Sequence, residues 1–317
     1  MVLPATASVL PAPRIGAAAV DVNLFEQGDR SPVRQSEGPS SGEVLHVFSA
    51  GFYLAIDDHH TSLLPGRRLL PVMSPEAVQL PFGITVPQLA SGHLTSLRPG
   101  ICATVVDASS NYRIEFPSFD IDIVRKHRPL RLRAISWPAL DSERINAIDD
   151  CLRPGLFDLP FLARTLVAAI HDEDELGVDA GVRALLGRGP GSTPSGDDAL
   201  CGIALALHSF GRSRSLALLS DALGTLELSR STPAFSAALI HAAVAGHCVP
   251  EAASAIRFTH AVLDAPSADR KLLSSAVSAL DRIGHSSGHD LFTGFLAVLG
   301  FDHQSRSSPH FGSAPAL

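Results

Sequence analysis

Lysine is nearly missing from this chain of 317 residues: Lys126 and Lys271 are the only two, and arginine carries the rest of the positive charge. The net charge is −7, so the chain lacks the basic face that a nucleic-acid partner requires. Long apolar runs are lacking too. The cleanest, Ala199–Leu207 and Leu291–Leu299, fall far short of the roughly 20 residues that span a bilayer, so no membrane partner is expected. Cysteine is sparse. Cys102, Cys151, Cys201 and Cys248 lie dozens of residues apart with no C-x-x-C, which argues against a zinc knuckle and fits a reducing, cytoplasmic setting. The first 22 residues lack the basic segment of a secretion signal. What the chain has in quantity is apolar side chain, 45% of residues, enough to bury about two globular cores.

The pattern changes along the chain and predicts an α+β protein. Residues 1–42 are rich in Pro, Ser, Gly and Ala and read as a disordered arm. Residues 43–137 carry short runs with turns between them. Val44–Phe48 and Phe52–Ile56 flank Ser49-Ala50-Gly51, read as a hairpin loop with a left-handed glycine. Arg67–Val72 is a further strand. Ile101–Val106 and Tyr112–Phe116 form a second hairpin, and Phe119–Val124 alternates apolar with acidic. An N-terminal antiparallel β barrel or sandwich-like domain follows. Arg125–Arg133 holds five cations beside His127 and reads as a solvated strand, a subunit contact or an anion funnel.

Residues 138–302 have helical periodicity and read as a C-terminal all-α bundle. The helices expected are Ser142–Leu152, Leu159–His171, Val178–Leu186, Ser195–Phe210, Ser213–Leu226, Ala234–Ala245, Pro250–Val262, Ala268–Ile283 and His289–Leu299. Residues 303–317 read as a disordered tail.

The chemistry concentrates at Gly187–Gly202, G-R-G-P-G-S-T-P-S-G-D-D-A-L-C-G: a glycine- and proline-rich loop feeding a buried helix. Backbone N–H groups at a helix start can meet an anion. The stretch has an echo 92 residues on: Ser195–Gly202 and Ser287–Gly294 both read S-G-x-D-x-x-x-G. A capping box accounts for Ser195 with Asp198 and for Ser287 with Asp290. It does not account for Gly202 and Gly294, each of which costs about 1 kcal/mol in a helix relative to Ala. Two helices crossing at these glycines, with their starts side by side at one ligand site, would explain both. Gly191 and Gly196 have P-loop spacing, but Asp197 and Asp198 follow where Lys and Ser or Thr belong, which excludes a nucleotide loop.

The candidate catalytic residues are Asp197, Asp198 and His285. Asp197 is not needed by the capping box; it could accept from an amide, act as a base, hold Mg²⁺ or favour the helix dipole. The candidate substrate-binding residues are Gly189, Gly191, Thr193, Ser195, Gly196, Ser286, Ser287, Gly288 and Asp290. No metal site is assigned. His285 and His289 are four apart, but Ser286-Ser287-Gly288 should break any helix between them. Mg²⁺ stays open as a cofactor, as does a hydrolase using it on Asp197, Asp198 and Asp290.

Gly189-Pro190-Gly191, Thr193–Asp198 and Gly284–Asp290 resemble the two signature stretches of the AllH family, a subunit of oxamate carbamoyltransferase, with the pattern G-x-G-P-G-x-T-P-S-G-D-D followed by G-H-T/S-S-G-x-D. Ser231–Leu239 and the small residues up to Gly246 are also similar. The resemblance covers roughly 182–300. This chain has Ser192 where the family often has Leu, and His289 where a small or acidic residue is usual. The resemblance implies a cytoplasmic complex of nitrogen catabolism with other carbamoyltransferase subunits as partners, moving a carbamoyl group between oxamate and phosphate. The ligand would be a small anion such as carbamoyl phosphate. A scaffold or regulatory subunit without catalysis is the alternative, and a homo-oligomer stays open.

Overall fold

The computed structural model describes residues 2–8, 40–57, 67–108, 111–127, 129–138, 142–152, 158–264 and 270–307. The strands are β1 (Val2–Ser8), β2 (Ser40–Phe48), β3 (Gly51–Asp57), β4 (Arg67–Met73), β5 (Gly83–Thr85), β6 (Cys102–Ala108), β7 (Asn111–Glu115) and β8 (Asp120–His127). The helices are α1 (Ser91–Thr95), α2 (Ser142–Asp149), α3 (Leu159–His171), α4 (Glu175–Leu185), α5 (Ser195–Ser209), α6 (Ser213–Gly224), α7 (Leu228–Ser231), α8 (Ala234–Val244), α9 (Pro250–Asp264), α10 (Arg270–Leu280) and α11 (Ser287–Ser307), with a 3₁₀ turn at Asp281–Ile283. Two compact units result, Met1–Leu132 with Gly224–Pro250 and Arg133–Leu223 with Glu251–Leu317.

In the first unit the eight strands close into a barrel in the order β1-β5-β4-β3-β2-β6-β7-β8. It is mixed, not purely antiparallel as the hairpins suggested. β1 seals the barrel parallel to β8, and the three-residue β5 lies parallel to β4. Alternate residues point inward: Leu3 and Ala5, Phe52, Leu54 and Ile56, Ile121 and Ile123 are all buried. That alternation makes Val2–Ser8 a strand within the arm expected over residues 1–42, and Ser40–Phe48 begins β2 inside it as well. Residues 9–39 lie outside the described residues. The first hairpin is tighter than expected. Phe48 pairs with Gly51, so the turn is Ser49-Ala50, and Gly51 is glycine because a Cβ there would overlap the Val72 carbonyl of β4.

Within the span 138–302, expected to be helical throughout, residues 224–250 cluster with the barrel. Phe235 of α8 stacks on Tyr53 of β3 with ring centroids 4.7 Å apart and lies 6.2 Å from Phe82. The Leu132 N–H donates to the Gly246 carbonyl at 2.8 Å, and Arg131 bridges to His247.

The second unit contains helices and no strand among its described residues. It is built around α5, in which every residue but His208 is buried, as expected of a helix apolar on all sides. The far end of α5 is held by Trp137, whose indole N–H donates to the Ser209 carbonyl at 3.2 Å and whose ring stacks on Phe210 at 4.7 Å. α11 runs to Ser307, into the tail expected from residue 303; residues 308–317 lie outside the described residues. No helix among the described residues is long and apolar enough to cross a membrane.

Candidate functional site

α5 and α11 cross at the two glycines. A Cβ on Gly202 would overlap the Leu291 carbonyl, and a Cβ on Gly294 would overlap the Ala199 carbonyl. Residues 199 and 291 are also 92 apart, so the contact is reciprocal, as across a local twofold axis. The first glycine of each signature repeats a second contact. Gly196 packs on the Leu185 carbonyl at the end of α4, and Gly288 on the Leu280 carbonyl at the end of α10. Each long helix therefore starts against the last turn of the helix before it. Hydroxyls join the two starts: Thr193 Oγ1 and Ser287 Oγ are 2.9 Å apart, and Ser287 also hydrogen-bonds the Asp198 carboxylate.

The capping boxes expected from S-x-x-D differ from what forms at α5. The N-cap is Pro194, with no side-chain cap, and Ser195 is already the first helical residue. The donors assigned to an anion there are in use. Gly196 N–H donates to the Arg188 carbonyl at 2.9 Å, and Asp197 and Asp198 N–H donate to the Pro194 carbonyl at 2.9 and 3.1 Å. At α11, Asp290 N–H donates to the Ser286 carbonyl at 2.9 Å, while Ser287 and Gly288 N–H take no partner among the described residues.

Asp197 is fully buried, and its Oδ1 accepts the Gly187 N–H at 2.7 Å. It ties the start of α5 to the turn after α4. Arg188 in that turn is ion-paired with Asp158. Gly189 and Gly191, with φ of 115° and 96°, take the loop through conformations that other residues resist. The equivalent of Asp197 on α11 is His289, 1% exposed, with Nε2 2.9 Å from Asp281 Oδ1. His285 is exposed in the turn before α11, so the two histidines share no helix face. Gly284–Gly288 also spells G-x-S-x-G. A nucleophile elbow sets that serine between a strand and a helix; here a 3₁₀ turn precedes α11, so the spacing builds no elbow.

The chemistry left over belongs to Asp198 and Asp290. Both are buried, and each has an Oδ2 closed to solvent without a hydrogen-bond partner. Burial holds the Asp198 carboxyl well above the usual carboxylate range; Asp290 and Asp197 add to the rise, and the Ser287 hydrogen bond opposes it. Hydrogen-bond satisfaction is the rule inside proteins, so two orphaned oxygens at one crossing call for a donor brought by a ligand. Sequence reasoning weighted Asp197 above this pair, because a capping box would have accounted for Asp198 and Asp290. No group of three or more His, Cys, Asp or Glu able to hold a metal ion occurs among the described residues.

Residues 185–299 match the family model of the oxamate carbamoyltransferase subunit AllH. The resemblance read from the two signatures is shown by that match. The AllH match takes in α5, the crossing glycines, Asp198, Asp290 and His285. No curated protein and no solved structure matches the chain.

Proposed function

We propose that this chain is one component of a cytoplasmic carbamoyltransferase of oxalurate and allantoin nitrogen catabolism. The paired starts of α5 and α11 take the small carbamoyl-bearing anion, and the second unit is the all-α bundle that presents them. The observation that carries this reading is the coincidence of the AllH match with a crossing that leaves Asp198 and Asp290 each one partner short. An oxygen acceptor without a donor suits the NH₂ of a carbamoyl group. A carboxyl whose pKa burial raises suits donation to an anionic or carbonyl oxygen. Ser287 and Gly288 N–H at the start of α11 suit the carboxylate of oxamate or a phosphate. His285, exposed beside them, moves protons. Asp197 positions the loop and does not meet the substrate, since its carboxylate is already bound to Gly187. Because both Oδ2 atoms are closed to solvent in the isolated chain, access requires a rearrangement, which partner subunits supply.

One observation favours the scaffold reading instead: the Gly196–Asp198 donors are all satisfied within the chain. A thermal-shift titration with carbamoyl phosphate, phosphate, oxamate and oxalurate separates the two. A ligand at about 100 times its Kd adds about 2.7 kcal/mol to stability. A rise in Tm that Asp198→Asn abolishes supports the transferase reading. A flat response, both from the chain alone and from its complex with partner subunits, leaves the scaffold.

A further inference from the structure

A second feature lies in the barrel unit. A cleft of about 430 Å³ opens between the loop after β4, the end of β5 and β8, lined by Ser74, Pro75, Ala77, Val78, Thr85 and Arg125 among others. That volume is in the range of small-molecule sites. The loop wall is fixed: Ser74 N–H donates to the Ala50 carbonyl at 2.8 Å and Ala77 N–H to the Ser74 carbonyl at 3.2 Å.

The cation in this cleft is put there by a bulge. β1 and β8 pair Leu3 with Ile121 and Ala5 with Ile123, all four pointing inward. Strict alternation would next send Arg125 into the core. The register instead slips between Ala5 and Thr6, leaving Val124 unpaired and setting Arg125 opposite Thr6. Val124 and Arg125 are consequently both exposed. In backbone register Arg125, Thr6 and Thr85 then lie side by side across β8, β1 and β5.

Two polar groups in the lining lack partners. Arg125 makes no hydrogen bond or ion pair among the described residues. Ser74 Oγ is buried without a hydrogen-bond partner, and a change of χ1 can turn it toward a ligand. Glu76, the acid of the same loop, is exposed and does not line the cleft.

We propose that this cleft binds a small organic carboxylate. The guanidinium fork of Arg125 takes the carboxylate, the Ser74 and Thr85 hydroxyls add to it, and Pro75, Ala77 and Val78 cover the carbon chain. The apolar wall is the reason for choosing an organic acid over free phosphate.

The test is calorimetric titration of the full chain with succinate, acetate and inorganic phosphate. Succinate or acetate binds at one site per chain. Arg125→Gln weakens it at least tenfold, Arg125→Lys weakens it less, Thr85→Val weakens it without loss of the circular-dichroism melt, and Asp198→Asn leaves it unchanged. Absence of carboxylate binding, binding of phosphate alone, or binding that survives Arg125→Gln but is lost in Asp198→Asn overturns the proposal. The last of these would move the carboxylate to the α5–α11 crossing, so failure here is distinguishable from failure of the transferase reading.

Discussion

At the start of α5 the third helical residue is Asp197, and its carboxylate takes the Gly187 N–H. At the same place on α11 stands His289, whose ring meets the Asp281 carboxylate. Both side chains reach back to the turn after the preceding helix, with opposite chemistry. Around them the glycine contacts are repeated almost residue for residue. Close approach of two backbones leaves no choice of side chain. A tie to a turn can be made by any acceptor facing a donor, so that position is where the two halves diverge. Ser195 with Ser287 and Asp198 with Asp290 lie between these extremes: the residue type is shared, but the cross-links run through Ser287, to Thr193 and to Asp198.

Filling the glycines tests the shared part and has the largest expected effect. Gly→Ala inside a helix normally gains about 1 kcal/mol from propensity. At Gly202 or Gly294 the added Cβ meets a carbonyl oxygen of the opposite helix, and overpacking of that kind costs about 3 kcal/mol or more. Gly300 lies further along α11 with nothing within 4 Å of its Cβ position, so Gly300→Ala should stabilise. Denaturant midpoints for the three variants should show opposite signs. If Gly202→Ala and Gly294→Ala are both neutral, the helices do not cross there.

This crossing was also what the sequence expressed best. Two glycines at one register, each unfavourable in a helix, point to contact without knowledge of the partner. The barrel strands other than β1 and the three-residue β5 were legible for a similar reason: alternation repeats and turns punctuate it. β1 was not, because Val2–Ser8 shows only Leu3 and Ala5 as inward positions, with a proline between them, and it becomes a strand only when β8 and β5 flank it. The assignment of α8 to the barrel unit was hidden as well. α8 is apolar on all sides, and nothing in such a helix says which core it joins. At the site, the tie from Asp197 to the Gly187 N–H was not legible, because that partner is backbone and carries no sequence signal. The unpartnered Oδ2 atoms of Asp198 and Asp290 were not legible either, because a local cap explained both residues.

The divergent position comes next in size. Asp197→Ala leaves the Gly187 N–H without its partner in a half-buried turn, a loss of about 1–3 kcal/mol. His289→Ala empties a buried site and frees Asp281, which is 35% exposed and can turn to water, so its loss from hydrogen bonding should be smaller. Urea unfolding of both variants measures the difference. An equal and small loss in both would mean the ties are incidental.

Asp198 gives a smaller effect that is read through pH. Its folded pKa lies above its unfolded value, so between about pH 4 and the folded pKa the folded chain holds a proton that the unfolded chain has released. The stability from this group is full below the ordinary carboxylate range and is lost as pH rises through the folded pKa. Asp198→Asn cannot ionise and should flatten that slope. His241 in the barrel unit acts in the opposite sense. Burial lowers its pKa, so its contribution is lost as pH falls below its unfolded value. The flattening in Asp198→Asn should therefore run from about pH 4 up to the folded pKa, read by thermal unfolding across that range. A slope unchanged by the substitution would mean that Asp198 titrates normally.

His285 should leave stability almost untouched, and that makes it the sharpest probe of function. It is exposed, and in the second signature it occupies the place that Thr193 holds in the first. Thr193 is engaged with Ser287; no contact of the His285 ring is seen among the described residues. His285→Ala should change unfolding free energy by less than about 0.5 kcal/mol, as surface substitutions do. If the histidine moves a proton in carbamoyl transfer, the assembled enzyme should lose kcat by about 10²–10⁴-fold, with the loss concentrated on one limb of the pH–rate profile. Full activity with an unchanged profile would remove His285 from the chemistry.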